Sequence, residues 1–198
     1  VSNRAGHKLP TAYPSRRVWL HVTVRDAEGA TVFESGAFTR RGAIVGNDND
    51  EDPAAYEPHH TVIAEPGDVQ VYEAIMGDQQ GRPTTGVTTG LTYLKDSRLL
   101  PRGFDKATAS GDVAVQGGAA EDADFSGGGD RVRYVVDVGD AAGPFTVEAA
   151  LWCPPISYRW ARNLARHRAA EIDRFLRYYD AMASYSAVVL TRDRATAD

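Results

Sequence analysis

Eight residues in this chain alternate without a break. Val18, Leu20, Val22 and Val24 fall on one side, and Trp19, His21, Thr23 and Arg25 on the other. A period of two is that of a strand with one face buried, and a helix would scatter the same residues around its circumference. The turn residues Asp26-Ala27-Glu28-Gly29 follow, and Thr31–Ser35 returns as a second strand, which makes a hairpin. The rest of the chain is therefore expected to build on an antiparallel sheet. Further strands are expected at Thr61–Ala64, Val69–Met76, Leu91–Lys95, Arg131–Val138, Pro144–Trp152 and Ser186–Thr191, with one more short strand within Gly36–Val45. Gly77–Gly90 reads as loop or a poorly formed helical turn, Lys106–Asp130 as the least ordered stretch, and the polar tail after Thr191 as frayed. Between Ile156 and Ala183 the period changes. Ala161, Leu164, Ala165, Ile172, Phe175, Leu176, Tyr179 and Met182 have the spacing of an amphipathic helix or two consecutive ones. The fold expected is a mainly β, antiparallel β-sandwich (Ig-like) with a C-terminal amphipathic helical segment. Residues 1–153 form the sandwich core with long loops, and residues 154–198 the helical segment and final strand packed on the same domain.

The totals narrow the function by exclusion. At 198 residues the chain suits one ordinary domain. A net charge of −5 argues against nucleic acid or an anionic membrane as partner. No apolar run reaches the length of a membrane span. The single cysteine, Cys153, allows neither an internal disulfide nor a cysteine-based zinc site. There is no GxSxG elbow, P-loop, HExxH or strand-linked GxGxxG, so no catalytic motif supports an enzyme. The opening residues from Val1 read like the end of a strand, and a processed chain or a piece of a longer protein is the expectation.

Two sets of side chains can carry binding chemistry. Asp48, Asp50 and Asp52 alternate in an acidic loop, and an extended loop would turn their carboxylates toward one calcium ion, with Asn47 or Asn49 helping. The other reading is a solvated turn. Among the histidines, His21 lies mid-strand and is expected to be structural, and His167 sits between arginines on a helix facing solvent. His7 is different, because glycine and proline fix its loop. His59 and His60 follow Pro58 and precede a strand. A neutral imidazole held through one nitrogen can ligate a transition metal or haem iron through the other. Arginine and aromatic residues interleave at Tyr158-Arg159-Trp160 and at Arg174–Tyr179. Such runs can stack a ligand or a partner, and the favoured expectation is an amphipathic helix whose arginines snorkel over the sandwich. Glu73 interrupts an apolar strand, and is expected either to face outward or to pair with an arginine.

Gly6-His7-Lys8-Leu9-Pro10-Thr11, then Tyr13-Pro14-Ser15-Arg16-Arg17 and Trp19-Leu20, resemble the start of the β-rich C-terminal region of certain bacterial multihaem cytochromes c. The resemblance continues through Asp50–Pro53, Glu57-Pro58-His59, Val71–Asp78, Tyr93–Asp96, Arg98–Lys106 and Arg174–Asp180. In that family an N-terminal part carries CxxCH motifs and covalent haems, and the proteins move electrons in the periplasm or outside the cell. This chain has no CxxCH and cannot hold haem c covalently. The resemblance therefore implies a haem-free accessory domain of, or partner to, such a cytochrome, with the haem c on an adjacent polypeptide or upstream segment. His7 is then the first candidate to reach an iron, with His59 and His60 behind it. The alternative is a calcium-dependent or glycan- or protein-binding β-sandwich module unrelated to haem.

Overall fold

A computed structural model describes residues 1–11 and 13–198. Its centre is the alternating segment met first in the sequence, strand β1 (Arg17–Arg25). One edge of β1 pairs along seven residues, Trp19–Arg25, with β8 (Phe145–Cys153). The other edge is shared. Its first part, Arg17–Trp19, takes β4 (Val71–Gly77), and its second part, Val22–Arg25, takes β2 (Thr31–Ser35). Two short strands, β5 (Pro83–Thr84) and β6 (Thr92–Asp96), pair with β4, and β9 (Val188–Ala197) closes the far side on β8. All seven strands of this sheet pair antiparallel. A second, two-stranded parallel sheet joins β3 (Val62–Ile63) to β7 (Arg133–Tyr134).

The alternation in β1 becomes two packed faces. Val18, Leu20 and Val22 meet Leu99, Leu100, Phe125 and Leu151. Val24 meets Phe33 and Ile63, with Val132, Tyr134 and Val136 against them. This face thus lies under β3, β7 and the long segment between β6 and β7. On the opposite face Trp19 stacks beside Trp152, touches Phe38 edge-on and packs on Ile44, Val69 and Val71. Burial of these apolar side chains is the main favourable term for the fold. Phe38 and Ile44 form only an isolated bridge where a further strand was expected.

The C-terminal helical pattern resolves into α2 (Tyr158–Leu164) and α3 (Ala170–Ser186). They join through Ala161, Tyr179 and Ala183, with Arg162 over the rings of Tyr158 and Tyr179. Arg162 also binds Asp180 at 2.5 Å. The tail expected to fray instead continues β9 to Ala197, because six of its residues, Arg192–Ala197, find partners along β8. Arg131–Val138 does the reverse. It alternates well, yet only Arg133–Tyr134 is laddered. Glu73 neither faces outward nor pairs with an arginine. It is buried, with Lys95 Nζ at 3.2 Å, and both side chains are nearly inaccessible.

Candidate functional site

The loop bearing His7 is sewn into the domain by backbone and side-chain bonds from two distant segments. Leu9 and Leu99 exchange a reciprocal pair of backbone bonds at 2.9 and 2.8 Å. Asn3 N–H donates to Gly128 O at 2.8 Å, and Val1 and Asp130 exchange a second reciprocal pair. Asn3 is the pin. It is 2% exposed, its Nδ2 donates to both His7 O and Leu99 O at 2.9 Å, and its Oδ1 accepts from Ala5 N–H. Lys8, next to His7, leans inward to Asp96 at 2.7 Å and over the Phe104 ring. Burial pulls the Lys8 ammonium below the usual lysine range, with Asp96 offsetting part of the effect. Burial pushes Asp96 up, but Arg98 and Lys8 outweigh it and hold the carboxyl below the usual carboxylate range. Lys8 turns inward, whereas the imidazole of the neighbouring His7 is exposed.

The ring of His7 is exposed, and its Nδ1 lies 2.9 Å from Lys8 O. A carbonyl oxygen only accepts, so Nδ1 carries the proton of the neutral ring and Nε2 carries the lone pair. No partner for Nε2 occurs among the described residues. An imidazole oriented through Nδ1–H to a backbone carbonyl, with Nε2 open, is the arrangement of a histidine that ligates a metal through Nε2.

His59 and His60 are placed differently. The side chain of His59 is 1% exposed and lies edge-on to Phe125. Its Nε2 is 2.9 Å from Asp122 Oδ2, and its Nδ1 is 2.8 Å from Gln70 Nε2. His60 N–H donates to Gln70 Oε1, which fixes the orientation of that amide. Gln70 therefore donates to Nδ1, and the ring proton of His59 sits on Nε2, donating to Asp122. Both nitrogens are engaged inside the protein and neither faces a partner. His60 Nε2 is 2.7 Å from Glu57 Oε1, which also accepts from Val69 N–H.

Among the described residues, one group of His, Cys, Asp and Glu brings three donor atoms together: His59, Asp122 and Asp130, within 4.8 Å of one another. Asp130 is buried. Its Oδ2 accepts from Tyr72 Oη–H at 2.7 Å, and its Oδ1 has no hydrogen-bond partner among the described residues. Burial raises the Asp130 carboxyl and, with Asp130 beside it, raises the Tyr72 phenol. The bond geometry decides how this group reads. A cation between His59 and Asp122 needs the Nε2 lone pair, which the tautomer set by Gln70 replaces with a proton. The cluster is a hydrogen-bonded prop beneath the loops.

The acidic segment does not form the extended loop expected for Asp48, Asp50 and Asp52. It is one turn of helix, α1 (Asp48–Glu51), because Asn47 caps the Asn49 N–H. A helical turn points alternate side chains apart, so the three carboxylates do not converge. Asp50 points inward, where Arg17 clasps both its oxygens at 2.8 and 2.7 Å and Ile44 N–H adds a third bond. Both side chains are almost wholly buried, and the attraction of Asp50 overcomes desolvation to hold the Arg17 guanidinium above its usual range. Asp48 lies near Glu57, whose Oε2 accepts its N–H, and Asp52 caps Ala54 N–H. His21, expected to be structural, bonds Glu34 across the hairpin at 2.8 Å.

Sequence reasoning singled out His7 but not Asn3, Asp122, Asp130 or Gln70. The last three reach His59 from 63, 71 and 11 residues away, and no local signal marks them. Asn3 stands four residues before His7, a spacing that the turn at residues 5–7 makes meaningful only after folding.

No protein-family model matches the sequence, and no curated protein does. Among solved structures, the chain is similar in fold over 98% of its length to the crystal structure of a penta-heme cytochrome c552 from Thermochromatium tepidum. The TM-score is 0.51 and the identity 15%. The chain spans about a third of the length of that protein, 34%.

Proposed function

We propose that this chain is a haem-free accessory domain of a multihaem c-type cytochrome assembly of the periplasm or cell exterior, and that His7 Nε2 ligates the iron of a haem c carried by a neighbouring polypeptide segment. The observation that carries this reading is the His7 imidazole, proton-locked at Nδ1 by Lys8 O and open at Nε2 on a loop that Asn3 pins to the core. Likeness of fold to a pentahaem cytochrome supports it, on 15% identity. The donor set fits one axial position and no more. With Cys153 the sole cysteine, covalent attachment of haem belongs to another part of the assembly.

Bound at His7, the haem would supply one-electron chemistry. The chain's own part is to hold the imidazole at a fixed angle, to bury one side of the haem, and so to tune its potential. The native assembly is expected to show a Soret band, and His7→Ala to change the ligation of one haem, read by visible and electron paramagnetic resonance spectra. An unchanged spectrum in His7→Ala removes the ligand. A colourless assembly removes the cytochrome reading altogether.

A further inference from the structure

The sheet around β1 is wide, but the layer over its inner face is narrow. That layer holds β3 and β7, and the backbone beside β7 shows where it is incomplete. Arg133 N–H donates to Thr61 O, and Val135 N–H donates to Ile63 O. Odd-numbered residues of the Arg131–Val138 segment thus turn their backbone groups toward β3. Successive residues of an extended chain point opposite ways, so those of Val132, Tyr134 and Val136 face the other edge. Among the described residues no backbone partner lies on that edge.

Two residues upstream, that same edge is already paired. Asp130 N–H donates to Val1 O at 3.0 Å and Val1 N donates to Asp130 O at 2.8 Å. Asn3 N–H donates to Gly128 O, and Ser2 bridges Gly129 antiparallel. Residues 1–3 and 128–130 thus form an antiparallel ladder directly beside the open edge of Val132, Tyr134 and Val136. Beside that edge lies an apolar cleft of about 430 Å³, walled by Val132, Val136 and Val138 on one side and by Val22, Val147 and Ala149 on the other. Val1, Leu20 and Ala149 also line an adjoining cavity of about 690 Å³ that reaches Thr191 and Asp193 of β9. The inner faces of β8 and β9 are left uncovered there. Open backbone edges beside an apolar trough are the template for an added strand.

We propose that an extended strand of the haem-bearing polypeptide fills this cleft, in line with residues 1–3, antiparallel to Arg131–Val138 and with apolar side chains at alternate positions. This rests on the cytochrome reading for the identity of the partner, and on the ladder and the cleft for its conformation. A strand fits better than a helix or a small apolar ligand, because only a strand satisfies the three open N–H groups while its side chains fill the cleft. The position of His7 agrees. The same three residues that begin the ladder include Asn3, so the added strand would enter beside the loop that presents the imidazole.

Residue-resolved hydrogen exchange on the native assembly tests it. The amides of Val132, Tyr134 and Val136 are expected to exchange roughly a hundredfold or more slower than in an open chain. Ala149→Phe, which fills the cleft from β8, is expected to weaken association of the chain with the haem-bearing polypeptide about tenfold or more, with far-ultraviolet circular dichroism unchanged. Open-chain exchange at the three amides in an assembly that shows a Soret band would overturn the strand and leave the haem reading standing. Slow exchange in an assembly without haem would overturn the partner. Slow exchange in the 198-residue chain alone, together with a dimeric mass, would assign the cleft to a second copy and also overturn the proposal.

Discussion

At the scale of single residues, five histidines that look interchangeable in composition occupy unlike states, and hydrogen-bond direction separates them. His7 has a carbonyl on Nδ1 and, among the described residues, no partner on Nε2, whereas His59 has a donor on Nδ1 and a carboxylate on Nε2. The second arrangement has a pH signature. Burial holds His59 below its ordinary value of 6.5, outweighing the pull of Asp122. A proton added to Nδ1 would also confront the Gln70 amide donor. Below 6.5 the unfolded chain therefore takes up a proton that the folded chain refuses, so stability falls as pH drops from 6.5 toward the depressed value. His59→Gln lacks that proton uptake. Urea midpoints measured from pH 7.5 to 5 should decline less steeply for the variant than for the wild type. Equal slopes would mean that His59 is not held neutral. Nothing in the local sequence distinguishes these states. Gly-His-Lys-Leu-Pro marks His7 as a constrained loop residue, but the tautomer of His59 depends on Gln70, and that of His7 on the path of its own backbone.

At the scale of elements, β1 and β2 were readable because each carries its own strand signal in a short local run, although β1 is buried on both faces, and the observed β2 has the bounds expected from the sequence. Two strands misled in opposite directions. β9 carries Thr191-Arg192-Asp193-Arg194 and looks like a solvated tail, yet β8 supplies a full ladder, and backbone pairing needs no apolar side chains. Arg131–Val138 alternates as a strand should but finds only β3, for two residues. Periodicity reports which side chains are buried and is silent on whether an edge has a neighbour. The exit from β2 is set by backbone space instead. Gly36 has φ +79, and a Cβ there would stand 2.2 Å from Leu20 O, while its own carbonyl accepts from Trp19 Nε1 at 2.9 Å. Gly36→Ala is expected to push β2 away from β1 and to cost more than about 1 kcal/mol. The thermal midpoint and the Trp19 fluorescence should shift together. A variant as stable as the wild type would show that the hairpin exit can relax.

At the scale of the whole molecule, residues 1–9, 99–104 and 126–130 are remote in sequence but form one surface, and Asn3 is where they meet. A buried amide that donates twice is intolerant of losing its donor. Asn3→Asp keeps the shape and the bond from Ala5 N–H, but turns a carboxylate oxygen toward the carbonyls of His7 and Leu99. The two carbonyls lose their donor and meet like partial charge, for an expected loss of about 1–3 kcal/mol or more. The consequence should be regional, because β4 and β8 are each laddered to β1 through backbone bonds that include none of those Asn3 makes. Hydrogen exchange in Asn3→Asp should speed at Leu9, Leu99 and Gly128 and stay slow along Trp19–Val24. If His7 ligates a haem as proposed, the same variant should broaden or shift the spectral signature that His7→Ala removes, since the imidazole would keep its nitrogen but lose its fixed angle. If exchange instead speeds equally in the sheet, the seam and the sheet unfold as one unit, and the His7 loop is no more independent than the strands beneath it.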